Sequence, residues 1–174
     1  MGEINQENIK KALVIRLSAI GDIVLTSPVV RVLKTVGFQV NYVVKSKFKN
    51  AIEHNKYIDR LYTLEQEGLR EELMAQKYNL VLDLQNNLKS LRLRKGLSQN
   101  IRVVNKENIK KLLLVRSGVD LLNDQHVVER YFKALNDLGV QDDGEGLDFH
   151  IPSNLNRIDE SISFNLSTPY LAWV

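Results

Sequence analysis

An α/β fold built on a Rossmann-like, doubly wound parallel sheet is what the 174-residue sequence predicts, and three observations predict it. Short continuous apolar runs of strand length alternate with stretches whose apolar residues recur at helical spacing. The strand-like runs are apolar at nearly every position, as strands covered on both faces are. Their spacing leaves room between them for the right-handed helical crossovers that join parallel strands.

The first run is Ala12-Leu13-Val14-Ile15-Arg16-Leu17, followed by Ser18-Ala19-Ile20-Gly21-Asp22 as a glycine-bearing turn. Over 24–36, Val29, Val32, Leu33 and Val36 share a helical face, and Gly37 supplies the C-terminal cap. Pro28 leaves two starts for this helix: near Gly21 with proline tolerated early, or at Pro28 behind a turn capped by Ser27. Residues 39–44 predict a second strand, 48–52 a short helix, 58–64 a third strand and 69–76 a helix. A fourth apolar strand follows at 79–84, then a helix over 88–97 and a fifth strand over 101–104. A basic helical piece at 109–115 precedes an amphipathic helix over 127–138 that Gly139 stops.

Composition narrows the function classes. With 44% apolar and 26% charged residues the chain is ordinary globular material, and the absence of cysteine excludes disulfide scaffolds, thiolate metal sites and cysteine nucleophiles. Apolar runs such as Leu112-Leu113-Leu114-Val115 fall far short of the ~20 residues that span a bilayer. The N-terminal residues lack a secretory signal pattern, and Gly2 lacks the Ser or Thr at position 6 that myristoylation asks for, so the expected location is cytoplasmic.

Charge is unevenly placed. From Lys89 to Arg116 there are nine basic residues and one acidic, net +8, whereas the remainder carries 15 basic and 20 acidic residues, net −5. That asymmetry points to an anionic partner, against the plainer reading of a solvated helix face. The stretch has no aromatic residue, so it offers no stacking platform for single-stranded nucleic acid, and no nucleic-acid partner is expected.

Several chemistries are absent. Only Gly21 follows the first strand, which fails the Gly-x-Gly-x-x-Gly of a dinucleotide site; Lys89-Ser90 lacks the glycines of a phosphate-binding loop; Gly-x-Ser-x-Gly is missing; and His54, His126 and His150 are scattered. No cofactor and no metal are implied. Doubly wound sheets bind ligands beyond the carboxyl ends of their strands, which selects 16–22, 83–89 and the stretch past Val104. Asp22 sits where the first strand gives way to a helix and reads either as a helix cap or as a catalytic base. Lys89 and Arg92, three apart on one helix, can hold an anion together. Asp83 and Gln85 read best as hydrogen-bond partners that orient the loop.

Asp142-Asp143-Gly144-Glu145-Gly146 is a polar, glycine-bearing loop and the one clean candidate boundary, set before a last helix over 155–166. The run Pro169-Tyr170-Leu171-Ala172-Trp173-Val174 reads as the first strand of a second domain, giving domains of 1–167 and 168–174; the alternative is an added edge on the first sheet.

Three blocks resemble a known family. The stretch from Leu13 to Lys34, centred on Arg16-Leu-Ser18-Ala-Ile-Gly21-Asp22, resembles the N-terminal signature of the ADP-heptose:lipopolysaccharide heptosyltransferases, glycosyltransferase family nine. Tyr78 to Ser90 is similar to the family's Asp-x-Gln-x-x-x-Lys-Ser segment, and His126 to Tyr131 to its His-x-x-x-Arg helix start. The resemblance implies the N-terminal, acceptor-binding half of a GT-B glycosyltransferase, two Rossmann-like domains facing across a cleft. It implies inverting transfer of heptose from ADP-heptose to an anionic lipopolysaccharide inner-core or lipid A acceptor, with Asp22 as base. Arg16, Ser18, Gly21, Gln85, Lys89, Arg92 and above all Arg116 are the implied acceptor-binding residues. On this reading the chain alone is inactive, donor contacts lie outside it, and peripheral contact with the inner face of the membrane is compatible. The alternative is a stand-alone Rossmann-like module that binds an anionic ligand without catalysis.

Overall fold

Residues of opposite parity on each strand enter two separate cores, and this makes the sheet doubly wound. The computed structural model describes residues 10–104 and 126–150. Five parallel strands, β1 (Lys11–Ile15), β2 (Gln39–Val44), β3 (Arg60–Thr63), β4 (Leu80–Asp83) and β5 (Ile101–Val103), lie in the order β3-β2-β1-β4-β5. Ala12, Val14, Val40, Tyr42, Val44, Leu80 and Leu82 line one face; Leu13, Ile15, Val43 and Val81 line the other.

The first face is covered by α1 (Ile20–Val24), α2 (Ser27–Thr35) and α5 (Val127–Lys133) through Ile23, Val29, Val30, Leu33, Val128, Tyr131 and Phe132. The second is covered by α3 (Leu69–Ala75) and α4 (Leu88–Arg94) through Leu69, Leu73 and Leu93, with Leu97 just beyond. Each such fully buried Val or Leu contributes roughly 1.5–3 kcal/mol relative to exposure. The expected sheet, and the alternation that predicts it, are therefore both present.

Pro28 decides the start of the second helix differently from either sequence alternative. The segment forms two helices, α1 and α2, with Thr26 as the N-cap of α2 and Pro28 in its first turn. A proline has no N–H and its ring clashes with the carbonyl four residues back, here Val24, so one continuous helix cannot pass. Gly21 is correspondingly a helical residue of α1 and not a turn glycine.

Other elements match in kind and are shorter at their ends. The 48–52 helix is a 3₁₀ turn at Ser46–Ala51; the 88–97 helix stops at Arg94, where Lys95 is extended and Gly96 takes a left-handed φ of 80°. The 127–138 helix splits into α5 and a 3₁₀ turn at Asn136–Leu138, closed by Gly139 in the left-handed region.

The 142–146 loop is not a free boundary. Arg31 of α2 holds Asp143 through two hydrogen bonds of 2.7 and 2.6 Å, accepts Asp148 as a second carboxylate partner, and donates to the Gly146 carbonyl at 3.0 Å. Asp148 N–H donates to Ser27 Oγ at 2.9 Å. Isolated sequence reading sees only glycine and charge there; the buried guanidinium is what converts the loop into a latch. No helix among the described residues is long and apolar enough to cross a membrane. The helices expected at 109–115 and 155–166, the strand at 169–174, and Arg116 lie outside the described residues.

Candidate active site

The chain runs outward from β1 to β2 and β3, then returns to place β4 on the other side of β1, so the order reverses between β1 and β4. Loops leaving two adjacent strands on opposite sides diverge there and open a crevice at their carboxyl ends. Residues 16–22 leave β1 and residues 84–90 leave β4, which brings two of the three sequence blocks together.

The two loops are tied by side chains that reach across. Gln85, buried, accepts from Leu17 N–H at 2.9 Å and Ser18 N–H at 3.1 Å through one oxygen. Arg16 is 7% exposed, and its guanidinium donates to Ser18 O at 2.9 Å, to Leu84 O, and to Asp22 in an ion pair.

Asp22 is at the third position of α1, with Ala19 as N-cap, and its Oδ2 accepts from Ala19 N–H at 3.3 Å while pairing with Arg16. The capping role is therefore real. Its Oδ1 has no hydrogen-bond partner among the described residues, and the side chain is 39% exposed. One oxygen is held by the protein and the other is bound by no described residue, so the capping role does not use up the carboxylate.

Asp83, fully buried, receives Gln85 N–H at 3.0 Å and Asn86 N–H at 2.8 Å on one oxygen and Arg94 at 2.7 Å on the other. Asn86, at a positive φ of 45°, ties its side chain to Val104 O at 2.9 Å. Asn87 caps α4 by accepting from Lys89 N–H and Ser90 N–H, both at 3.0 Å, while Ser90 Oγ accepts from Asn87 N–H at 2.9 Å. The Asp83-to-Ser90 block is thus mostly a turn and a capping box. Gln85 is turned toward the β1 loop, in the loop-orienting role.

Lys89 and Arg92 are exposed, and together with Arg70, Leu64 and Leu93 they line an open groove. Neither makes an ion pair with a described residue. Two other cations of the basic stretch are spent, Arg94 on buried Asp83 and Arg102 on Asp137, while Lys95 is exposed. Arg70, not singled out by sequence, donates to the carbonyls of Arg92, Leu93 and Lys95 and so closes the C-terminal end of α4. Gly21 is exposed, and a Cβ there would meet no described residue within 4 Å.

Beneath the site, α5 starts with His126 as N-cap, accepting from Val128 N–H at 3.3 Å. Tyr131 of α5 and Tyr42 of β2 are buried; burial pushes both hydroxyls above the ordinary tyrosine range, and both sense the charges of Arg16 and Asp22. Tyr42 meets Thr26 Oγ at 3.0 Å, and that hydroxyl donates to Ile23 O at 2.6 Å, steadying α1 from below. The tyrosines carry no sequence motif; only their inward strand and helix positions mark them.

The model of glycosyltransferase family 9 (heptosyltransferase) matches residues 67–168, more than half of the chain. The chain belongs to glycosyltransferase family 9. Among curated family 9 relatives, lipopolysaccharide heptosyltransferase 1 of Campylobacter coli is 33% identical over 111 residues, covering 58% of this chain and 32% of that protein. A glycosyl transferase family 9 structure from Veillonella parvula superposes with a TM-score of 0.63 at 20% identity, over 83% of this chain and 46% of its own. The E. coli heptosyltransferase WaaC with ADP gives a TM-score of 0.59 at 21% identity, over 79% of this chain and 50% of its own. The chain spans about a third of the curated relative and about half of each solved structure. The shared fold is one Rossmann-like half of the GT-B family 9 architecture.

Proposed function

We propose that this chain is the acceptor-side half of an inverting glycosyltransferase that moves heptose from ADP-heptose to a hydroxyl of an anionic lipopolysaccharide inner-core or lipid A acceptor, with Asp22 as general base. The observation that carries the reading is the divided Asp22 carboxylate: one oxygen fixed by Arg16 and the Ala19 N–H, the other without a partner among the described residues, at the crevice where the strand order reverses. Family membership supports glycosyl transfer, and the names of the similar proteins support heptose as donor sugar and ADP as leaving group.

The chemistry fits a single base. Removing the acceptor proton as the oxygen attacks the anomeric carbon contributes typically 10²–10⁴-fold, while the departing nucleotide diphosphate needs charge stabilisation more than an acid. In this proposal the donors for that charge belong to a nucleotide-sugar-binding half beyond 1–167, and the chain alone transfers nothing. Ser18 and Gly21 border the acceptor hydroxyl. Lys89 and Arg92, unpaired with any described carboxylate, meet acceptor phosphate or carboxylate groups, and Arg116 completes the set from outside the described residues. A cytoplasmic enzyme touching the inner face of the membrane accords with such an acceptor.

The test is turnover of ADP-heptose with a lipopolysaccharide-core acceptor in a polypeptide joining this chain to a nucleotide-sugar-binding half. Asp22→Asn should lower kcat by at least about 10²-fold with the thermal midpoint nearly kept. Near wild-type turnover by that variant would overturn the assignment of the base.

A further inference from the structure

The family resemblance implies Arg16 and Gln85 at the acceptor, whereas the residues alone read Gln85 as orienting the loop; the geometry sides with the second for both. We infer that they form a two-way lock across the β1/β4 crevice that positions Asp22, so that both are positioning residues and neither is an acceptor contact. The inference rests on the reading of Asp22 as base.

The traffic across the crevice runs in both directions. From the β1 side, Arg16 donates to Leu84 O at the end of β4; from the β4 side, Gln85 accepts from Leu17 and Ser18 N–H of the β1 loop. Arg16 also returns to its own loop at Ser18 O, at 2.9 Å. Each side chain therefore satisfies buried backbone groups that have no strand partner at that point, and losing either leaves them unsatisfied at a cost.

Asp22 hangs on this frame. Arg16 takes its Oδ2, the same oxygen that accepts Ala19 N–H. Two donors on one oxygen fix the carboxylate's rotation and direct its base function to Oδ1. A guanidinium suits the task because its planar fork reaches two carbonyls and a carboxylate at once; each of its three nitrogens is engaged by the protein, and only 7% of the residue is exposed. A displacement of a catalytic group by about 1 Å can cost about 10² in rate, which is the scale on which such a lock is felt.

The experiment has two arms. In the first, amide exchange is followed in this 174-residue chain: Gln85→Met should speed exchange at Leu17 and Ser18 at least about tenfold while β1 and β4 strand amides stay protected. Unchanged exchange at both amides overturns the lock, whatever the activity. In the second, kinetics are measured in the joined enzyme: Arg16→Met should lower kcat by on the order of 10² with the acceptor KM changed less than about threefold. Arg16→Lys, which keeps a charge for Asp22 and loses the fork, should recover part of kcat. A raised acceptor KM with kcat retained makes Arg16 a ligand contact and overturns the proposal. If Arg16→Met does not fold, Gln85→Met carries the same kcat-against-KM test. If Asp22→Asn proves fully active, the base reading fails by itself, and the exchange arm still decides the lock.

Discussion

Two buried arginines carry carboxylate pairs in this fold and do opposite things with them. Arg31 on α2 binds Asp143 bidentately and takes Asp148 as well, so that three charged groups close on one another against the Gly146 carbonyl. Arg16 after β1 binds one carboxylate by one oxygen and spends its other arms on backbone carbonyls. Asp143 has both oxygens engaged; Asp22 keeps one back. The first arrangement uses charge to fasten a loop. The second uses the same chemistry to hold Asp22, the base of the proposed reaction, at the carboxyl edge of the sheet. The lesson is that burial and pairing do not by themselves mark a site; what marks it is the unspent valence and its place at the reversal of strand order.

The largest test of the contrast is an exchange of roles. Asp22→Asn should reduce turnover of the joined enzyme by about 10²–10⁴-fold, whereas Asp143→Asn should leave turnover close to normal and lower the unfolding free energy in urea. A large activity loss from Asp143→Asn would erase the distinction.

Next in size is removal of the latch itself. Arg31→Met on α2 leaves the Asp143 and Asp148 carboxylates without their cation and should cost about 3 kcal/mol of unfolding free energy, near the lower end of what breaking a buried pair costs because the carboxylates are partly exposed. Urea denaturation followed by circular dichroism measures it.

Acid should reveal the same latch. The hydrogen bond from Arg31 holds the Asp143 carboxyl below its usual range. A depressed native value means the unfolded state binds the proton more readily, so the contribution is present above the ordinary aspartate value of about 4 and is lost as pH falls through the lower native one. Wild-type stability should therefore decline, as pH falls below about 4, more steeply than that of Arg31→Met, as read from urea midpoints at descending pH. Parallel declines would show that the latch adds nothing to the acid response.

The smallest structural effect belongs to the open groove. Lys89→Ala and Arg92→Ala remove exposed side chains, so stability should move by no more than about 0.5 kcal/mol. If they meet acceptor anions, the acceptor KM should rise severalfold at low salt and the difference should shrink as salt screens the charges.

Much of this was legible in the chain. Continuous apolar runs fix strands buried on both faces, and their parity sorts Val14 from Ile15 into different cores before any contact is known. The Asp83-to-Ser90 block lies within the residues 67–168 that the family model matches, whereas the signature around Asp22 precedes them; both are legible because local motifs specify turns and caps that depend on neighbours within a few residues. The break at Pro28 was half legible: proline announced a boundary, and the short helix before it needed the capping at Ala19 and Asp22 to exist.

Tertiary structure alone decided where the long side chains went. Arg16, Arg31, Arg92 and Arg94 are equivalent as letters, yet one braces Asp22, one latches a loop, one faces solvent and one neutralises Asp83. Their partners are 6 to 117 residues away, or, for Arg92, no described carboxylate pairs with it at all. The physical reason is reach: apolar pattern and turn chemistry act over one element, whereas a guanidinium on a flexible stem takes whichever carboxylate or carbonyl the packed sheet brings within hydrogen-bond distance. The sequence determined the sheet, the family and the position of the acid; only packing assigned the cations, and with them which oxygen of Asp22 the described residues leave unbound.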